Sequence, residues 1–346
     1  MLSNQFFKLI FILIVSLLVG CQTTGTSKTI TNDISRNTPK GPSGKIKYNV
    51  PKNIDLTEII NGKVKDAEQE EIYGRLLMPK NISGKIPAVI IMHASGGVFD
   101  WREKSMAKLL NKNGIAAFIP YSFAARGFYN TKSTQQTGTT FGMRVADALS
   151  ALVLLSTHPD IDKNKIGVMG YSSGGFASLL SIDEKVRVNI AKGDLKFAAH
   201  VNVYAASILT FKEHQPTKAP MLFLMGEKDN TCPKERVLAI ADEIEKAGGN
   251  VKTIFYPGAH HVFDAFYPVK SLSRDNDGGC QFQILNDGYL YDGAMRAKFS
   301  ERELYGSNNI HINPCKTDSV SFGRNKFAAK QYKTDALNFF LKSFSQ

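Results

Sequence analysis

Between residues 87 and 256 the chain alternates short, unbroken apolar runs with segments of helical spacing, and this pattern limits its folds more than any other feature. Pro87-Ala88-Val89-Ile90-Ile91-Met92 is apolar throughout, as expected of a strand covered on both faces. Trp101 to Asn113 then carries helical spacing and stops at Gly114, and Ile115 to Pro120 is apolar again. The same reading predicts strands at Lys165 to Tyr171, Ala198 to Tyr204, Pro220 to Met225 and Val251 to Tyr256. It predicts helices at about Met143 to Thr157, from Ser173, at Pro233 to Ala247 and at Ala328 to Phe344. Ahead of them, Ile46 to Lys80 is short and extended, with Ile72 to Met78 its clearest strand. Repeated βα units imply an α/β protein with a mostly parallel central sheet and helices on both faces. Reactive groups of such sheets gather at the carboxyl ends of the strands.

Composition agrees with a packed domain. With 43% hydrophobic and 21% charged residues the chain is not disordered, and four Cys in 346 residues do not make a disulfide scaffold.

Directly after Ile166-Gly167-Val168-Met169 comes Gly170-Tyr171-Ser172-Ser173-Gly174, a G-x-S-x-G pentapeptide between strand and helix. Gly on both flanks permits the sharp turn that would expose Ser172 at the sheet edge. A Ser hydroxyl is a weak nucleophile at neutral pH, so it needs a base to take its proton and an acid to orient that base. Two later strand ends offer them. Gly226-Glu227-Lys228-Asp229 follows one apolar run, and Gly258-Ala259-His260-His261 follows the next. Asp229 is the expected acid, with Glu227 its rival and capping of the next helix its structural alternative. Only one of His260 and His261 can face Ser172. His93 is expected to shape the pocket. The developing oxyanion needs backbone donors, expected from Ser173 and from the loop His93-Ala94-Ser95-Gly96-Gly97.

The chain order Ser, Asp, His is that of α/β-hydrolases. Pro87 to Gly97, Arg144 to Ala148 leading to His158-Pro159-Asp160, Ile166 to Gly175, Gly226 to Pro233 and Tyr256 to Phe263 together resemble the dienelactone hydrolases. The resemblance spans about residues 70 to 265 plus the last helix. It implies an α/β-hydrolase fold with Ser172 as nucleophile, His261 as base, Asp229 as orienting acid and Ser95 as second oxyanion donor. Dienelactone hydrolases proper carry Cys where this chain has Ser172, and Glu where it has Ala94. Ser at the elbow is similar to the esterase-like members, which implies a small-molecule ester or lactone as substrate, with no metal or organic cofactor. A hydrolase-shaped binding protein without turnover and a peptidase are the rival readings.

The N-terminus speaks for location. Lys8 precedes an apolar run from Leu9 to Val19 of about eleven residues, shorter than the roughly twenty that span a bilayer, so residues 1–20 read as an export signal. Leu18-Val19-Gly20-Cys21 resembles the bacterial lipobox, which implies a diacylated Cys21 and a protein anchored in the cell envelope. Gln22 in place of Asp leans toward the periplasmic face of an outer membrane, if the cell has one. Residues 21–45, rich in Thr, Ser, Asn, Gly and Pro, read as a flexible tether, and 46–346 as the catalytic domain. The formal charge of +12 falls by one when the signal is removed. Spread without basic clusters or a nucleic-acid motif, it fits anionic lipid better than DNA or RNA. The sequence assigns no oligomeric state.

Cys280 and Cys315 flank a polar segment and are expected to pair, leaving Cys232 as a thiol. Arg126, beyond the strand ending at Pro120, is placed either to hold a substrate carboxylate or to form a surface ion pair. Residues 264–325 read as an insertion that covers or rims the site. Asp275-Asn276-Asp277-Gly278 begins like a calcium loop but lacks the later ligands, and reads as a polar turn.

Overall fold

The computed structural model describes residues 44–80, 82, 84–129, 138–205, 207–304 and 315–346, without the side chains of 274–277. The export signal and Cys21 therefore lie outside the described residues, as do the side chains of Asp275, Asn276 and Asp277.

The main sheet is built from β1 (Gly44–Pro51), β2 (Gln69–Leu77), β3 (Ile86–Met92), β4 (Ala116–Pro120), β5 (Ile161–Tyr171) and β6 (His200–Val203). After the short β7 (Leu209–Phe211), β8 (Pro220–Gly226) and β9 (Asn250–Tyr256) complete it. The spatial order is β1-β2-β4-β3-β5-β6-β8-β9. β1, β2 and β4 pair antiparallel, and from β4 to β9 every neighbour is parallel. β1 opens inside the segment read as tether, because Gly44 already sits opposite Leu76 in the ladder.

The continuous apolar runs resolve into two faces with the period of two that a strand imposes. In β3, Ala88, Ile90 and Met92 join one core, and Val89 and Ile91 join the other. The first core takes in α3 (Phe141–Ser156), α4 (Gly175–Leu180) and α6 (Lys234–Lys246), with the small α1 (Leu56–Ile60) and α5 (Glu184–Arg187) at its margin. The second takes in α2 (Ser105–Lys112) and, beyond the four-residue α7 (Glu301–Leu304), α8 (Lys326–Phe344). Local signals set the helix starts. The Thr140 hydroxyl accepts from the Met143 amide at α3, and the Asn325 side chain accepts from the Ala328 amide at α8. No helix among the described residues is long and apolar enough to cross a membrane.

Residues 264–325 are more than a rim. β10 (Lys270–Asn276) pairs with β14 (Thr317–Phe322) in a two-stranded ribbon. β11 (Phe282–Ile284), β12 (Leu290–Asp292) and β13 (Ala297–Phe299) form a small sheet that joins β7 of the main domain. A disulfide links Cys280 to Cys315 across 35 positions and ties the start of β14 to the segment just before β11.

Candidate active site

The turn after β5 explains its own glycines. A Cβ on Gly170 would lie 2.2 Å from the Gly174 carbonyl oxygen, and one on Gly174 would lie 2.5 Å from the carbonyl oxygen of Met92 at the end of β3. Only hydrogen fits at either place, and the close approach brings the elbow against the loop that carries His93, Ala94 and Ser95. Ser172 itself holds a left-handed backbone with φ of 49°, uncommon for a residue with a side chain and characteristic of functional turns. Tyr204 and Val262, with φ of 35° and 53°, share that strain beside it.

Three strand ends converge here. The Ser172 Oγ lies 2.9 Å from His261 Nε2, and His261 Nδ1 lies 2.8 Å from Asp229 Oδ2. Asp229 is 3% exposed and His261 7%. The other Asp229 oxygen accepts the amides of Thr231 at 2.9 Å and Cys232 at 3.0 Å, a local Asx turn that fixes the carboxylate. It does not cap α6. Glu227 stays exposed and accepts the Gly258 amide, and of the two adjacent histidines only His261 meets Ser172.

Partners that sequence reasoning missed hold the imidazole. The Tyr204 ring packs edge-on against His261 at 5.2 Å, while its hydroxyl donates to the half-buried Asp264 at 2.8 Å. The His261 amide donates to Ser321 O, and the Gly323 amide donates to His261 O, so the end of β14 braces His261 through its backbone. Asn230, next to Asp229, accepts the Ser321 amide and donates to Ser319 O, both at 3.0 Å. None of these contacts has a short-range signal, because each joins segments far apart in the chain.

Arg144 was visible in sequence as a charge inside an apolar helix. Its guanidinium donates to the His93 carbonyl and lies 4.7 Å from the Phe123 ring centroid, clamping the loop that carries Ser95. Burial brings this guanidinium down to about 10. Burial, and then the nearby Arg144 charge, push His93 well below its usual range, so it stays neutral while its Nδ1 meets Ala94 O at 2.7 Å.

The expected place of Arg126 over the pocket does not hold. Its side chain is 6% exposed and engages both oxygens of Asp147 at 2.9 Å, Glu70 at 2.7 Å and Ser122 O at 2.8 Å. Asp147 lies on the buried side of α3, and an unpaired carboxylate there would be strongly unfavourable, so the guanidinium turns inward to it. It forms an ion pair, turned inward and not on the surface.

Asp229, Cys232 and His261 present ligating atoms within 4.8 Å of one another, a set suited to a soft divalent ion. The direct His261–Asp229 hydrogen bond and the Cys232 Sγ contact to Tyr204 O at 3.4 Å already use these atoms, so the set suits a proton relay better. Cavities of about 610 Å³ beside Lys52, Glu58 and Arg302, and of about 360 Å³ between β8, β9 and α8, do not include Ser172.

Residues 72–276 match the model of the dienelactone hydrolase family, more than half of the chain. The chain belongs to the dienelactone hydrolase family. It is accordingly an α/β-hydrolase enzyme. Among curated relatives it is 23% identical over 207 residues to a probable 2-oxo-3-(5-oxofuran-2-ylidene)propanoate lactonase of a Bradyrhizobium species, covering 57% of this chain and 83% of that protein. It is 22% identical over 234 residues to the uncharacterized peptidase YuxL of Bacillus subtilis, covering 59% of this chain but 36% of that protein. In fold this family member is similar to a dienelactone hydrolase-like promiscuous phosphotriesterase from metagenomic libraries, with a TM-score of 0.53, 16% identity and coverage of 87% and 99% of the two chains. A dienelactone hydrolase-like structure from Klebsiella pneumoniae gives a TM-score of 0.51 at 16% identity, covering 86% and 99%.

Proposed function

We propose that this dienelactone hydrolase family member cleaves carboxylic ester or lactone bonds of small molecules through an acyl-enzyme on Ser172. The observation that carries the reading is the unbroken line from Ser172 Oγ through His261 to Asp229, with links of 2.9 and 2.8 Å. His261 Nε2 takes the hydroxyl proton as Ser172 Oγ bonds to the carbonyl carbon. Asp229 holds the ring tautomer and stabilises the imidazolium, and the amides of Ser173 and Ser95 receive the oxyanion. The imidazolium proton then passes to the departing alkoxide, releasing the alcohol, or the tethered hydroxyl of an opened lactone. A water gives its proton to His261 and its oxygen to the acyl carbon, and collapse returns that proton to Ser172 as the acid leaves. The relative from Bradyrhizobium, a lactonase by name, supports the cyclic-ester branch.

The test is labelling with a fluorophosphonate probe, followed by a panel of short-chain esters and lactones. Ser172→Ala is expected to abolish labelling and to lower kcat by roughly 10⁴- to 10⁶-fold with an unchanged melting temperature. A folded, unmutated protein that neither labels nor turns over any ester would overturn the reading. On the sequence of Leu18 to Cys21 alone, the anchored placement in the cell envelope through an acylated Cys21 is proposed as well. Radiolabelled palmitate that enters the wild type and Cys21→Ala equally would refute it.

A further inference from the structure

We propose that Phe99, Trp101 and Phe266 form a subsite for the aromatic ring of the substrate, so that the enzyme prefers aryl-bearing esters; this rests on the ester-hydrolase reading above. The three rings come from two segments, the loop and helical turn that follow Ser95 and the loop that follows His261, and they meet at Trp101. Phe99 and Trp101 follow the loop carrying Ser95 and stack at 5.6 Å with an interplanar angle of 21°. Phe266 follows the base and meets Trp101 at 6.1 Å and 78°. Together they make a corner offering one ring face and one near-perpendicular neighbour, the pair of geometries that aromatic rings favour and that a flexible alkyl chain cannot exploit.

Single exposed rings are ordinary on a surface, whereas clustered ones mark binding sites, and here Phe266, 71% exposed, and Phe99, 38% exposed, gather around Trp101. The occupant is assigned by continuity with the reacting groups. Beneath the corner, the buried Arg102 guanidinium lies 5.0 Å from the Phe99 centroid, 5.1 Å from Trp101 and 5.5 Å from Tyr171, the residue before the nucleophile. On the other side Phe266 packs on Tyr267, which packs on Phe322, the bridge partner of His261. The corner is also built in advance. Arg102 donates to Glu103 at 2.7 Å and to Gly97 O at 3.1 Å, and Glu103 accepts the Phe99 amide at 2.8 Å. Little ordering remains to oppose binding.

Trp101 is the single tryptophan of the chain, so its emission reports the subsite without turnover. Ser172→Ala is titrated with ethyl 3-phenylpropanoate, and a saturable change in emission is expected. In the active protein, ethyl 3-phenylpropanoate, ethyl 3-cyclohexylpropanoate and ethyl butanoate share one leaving group. The phenyl ester is expected to exceed the cyclohexyl ester in kcat/KM about threefold or more. Phe266→Ala and Trp101→Ala should each lower kcat/KM for the phenyl ester about tenfold and for ethyl butanoate less than about twofold. Phe266 is exposed, so its variant keeps the test open should Trp101→Ala misfold. Equal losses on all esters, a cyclohexyl ester as good as the phenyl one, or emission that responds to anionic vesicles and not to the ester would each overturn the subsite. Fluorophosphonate labelling with flat emission sinks the subsite alone, whereas saturable emission without labelling sinks the hydrolase reading and leaves an aryl-binding site.

Discussion

The elbow at Gly170–Gly174 and the ribbon strand β14 serve the same imidazole by opposite means. The elbow is local: five consecutive residues carry both the nucleophile and the steric reason for its turn. β14 is remote, offering its backbone to the backbone of His261 and to the side-chain amide of Asn230 from about 60 to 90 positions further along the chain. The elbow is therefore written in residue identity, whereas the brace is written in where the chain runs. Substitutions should strike the first by chemistry and the second by loosening a loop.

Breaking the loop closure should give the largest change. Replacing Cys280 and Cys315 by Ser releases a 35-position crosslink and is expected to lower stability by roughly 4 kcal/mol on the chain-entropy model. Because β14 begins just after Cys315, kcat should fall before the far-UV circular dichroism does on heating; coincident curves would show that the brace and the sheet melt as one. At the elbow, Gly174→Ala sets a methyl against the Met92 carbonyl and is expected to remove about 3 kcal/mol, read from denaturant melts. A loss confined to kcat would mean that the elbow shifts without weakening the core.

Acid tests the sheet separately from the ribbon. Burial depresses His200, on β6, from 6.5 to about 4. Its ring is thus neutral in the fold while the unfolded chain takes up a proton below its ordinary value. Stability is full above about pH 6.5 and falls toward pH 4 by up to about 3 kcal/mol. His200→Gln keeps a donor for Ser178 O and should flatten that slope, as measured by melts across this window. The smallest effect is expected from Asn230→Ala, which removes two hydrogen bonds to β14. It should lower stability by about 1 kcal/mol and reduce kcat with little change in KM. An equal change in KM would place Asn230 in binding and not in bracing.

The apolar runs located β3, β4, β5, β6, β8 and β9 to within a residue or two, except that β5 starts at Ile161, since a run buried on both faces leaves few alternatives. The residues Ser172, Asp229 and His261 were legible because each follows such a run. Arg126 was left between a substrate contact and a surface ion pair because its partner Asp147 is brought to it only by the packing of α3. Residues 264–325 were read as a cover or rim from their position before the last helix, and nothing in their pattern names Asn230 or His261 as a partner.

The sequence by itself determined the alternating architecture, the G-x-S-x-G turn and the two strand ends where an acid and a histidine would stand, all of which depend on local periodicity and local sterics. Tertiary structure alone decided which of two adjacent imidazoles reaches the hydroxyl, which carboxylates Arg126 pairs with and which rings gather around Trp101. Those outcomes depend on contacts between distant segments, and contact energies of that kind become defined only once the chain has closed its loops.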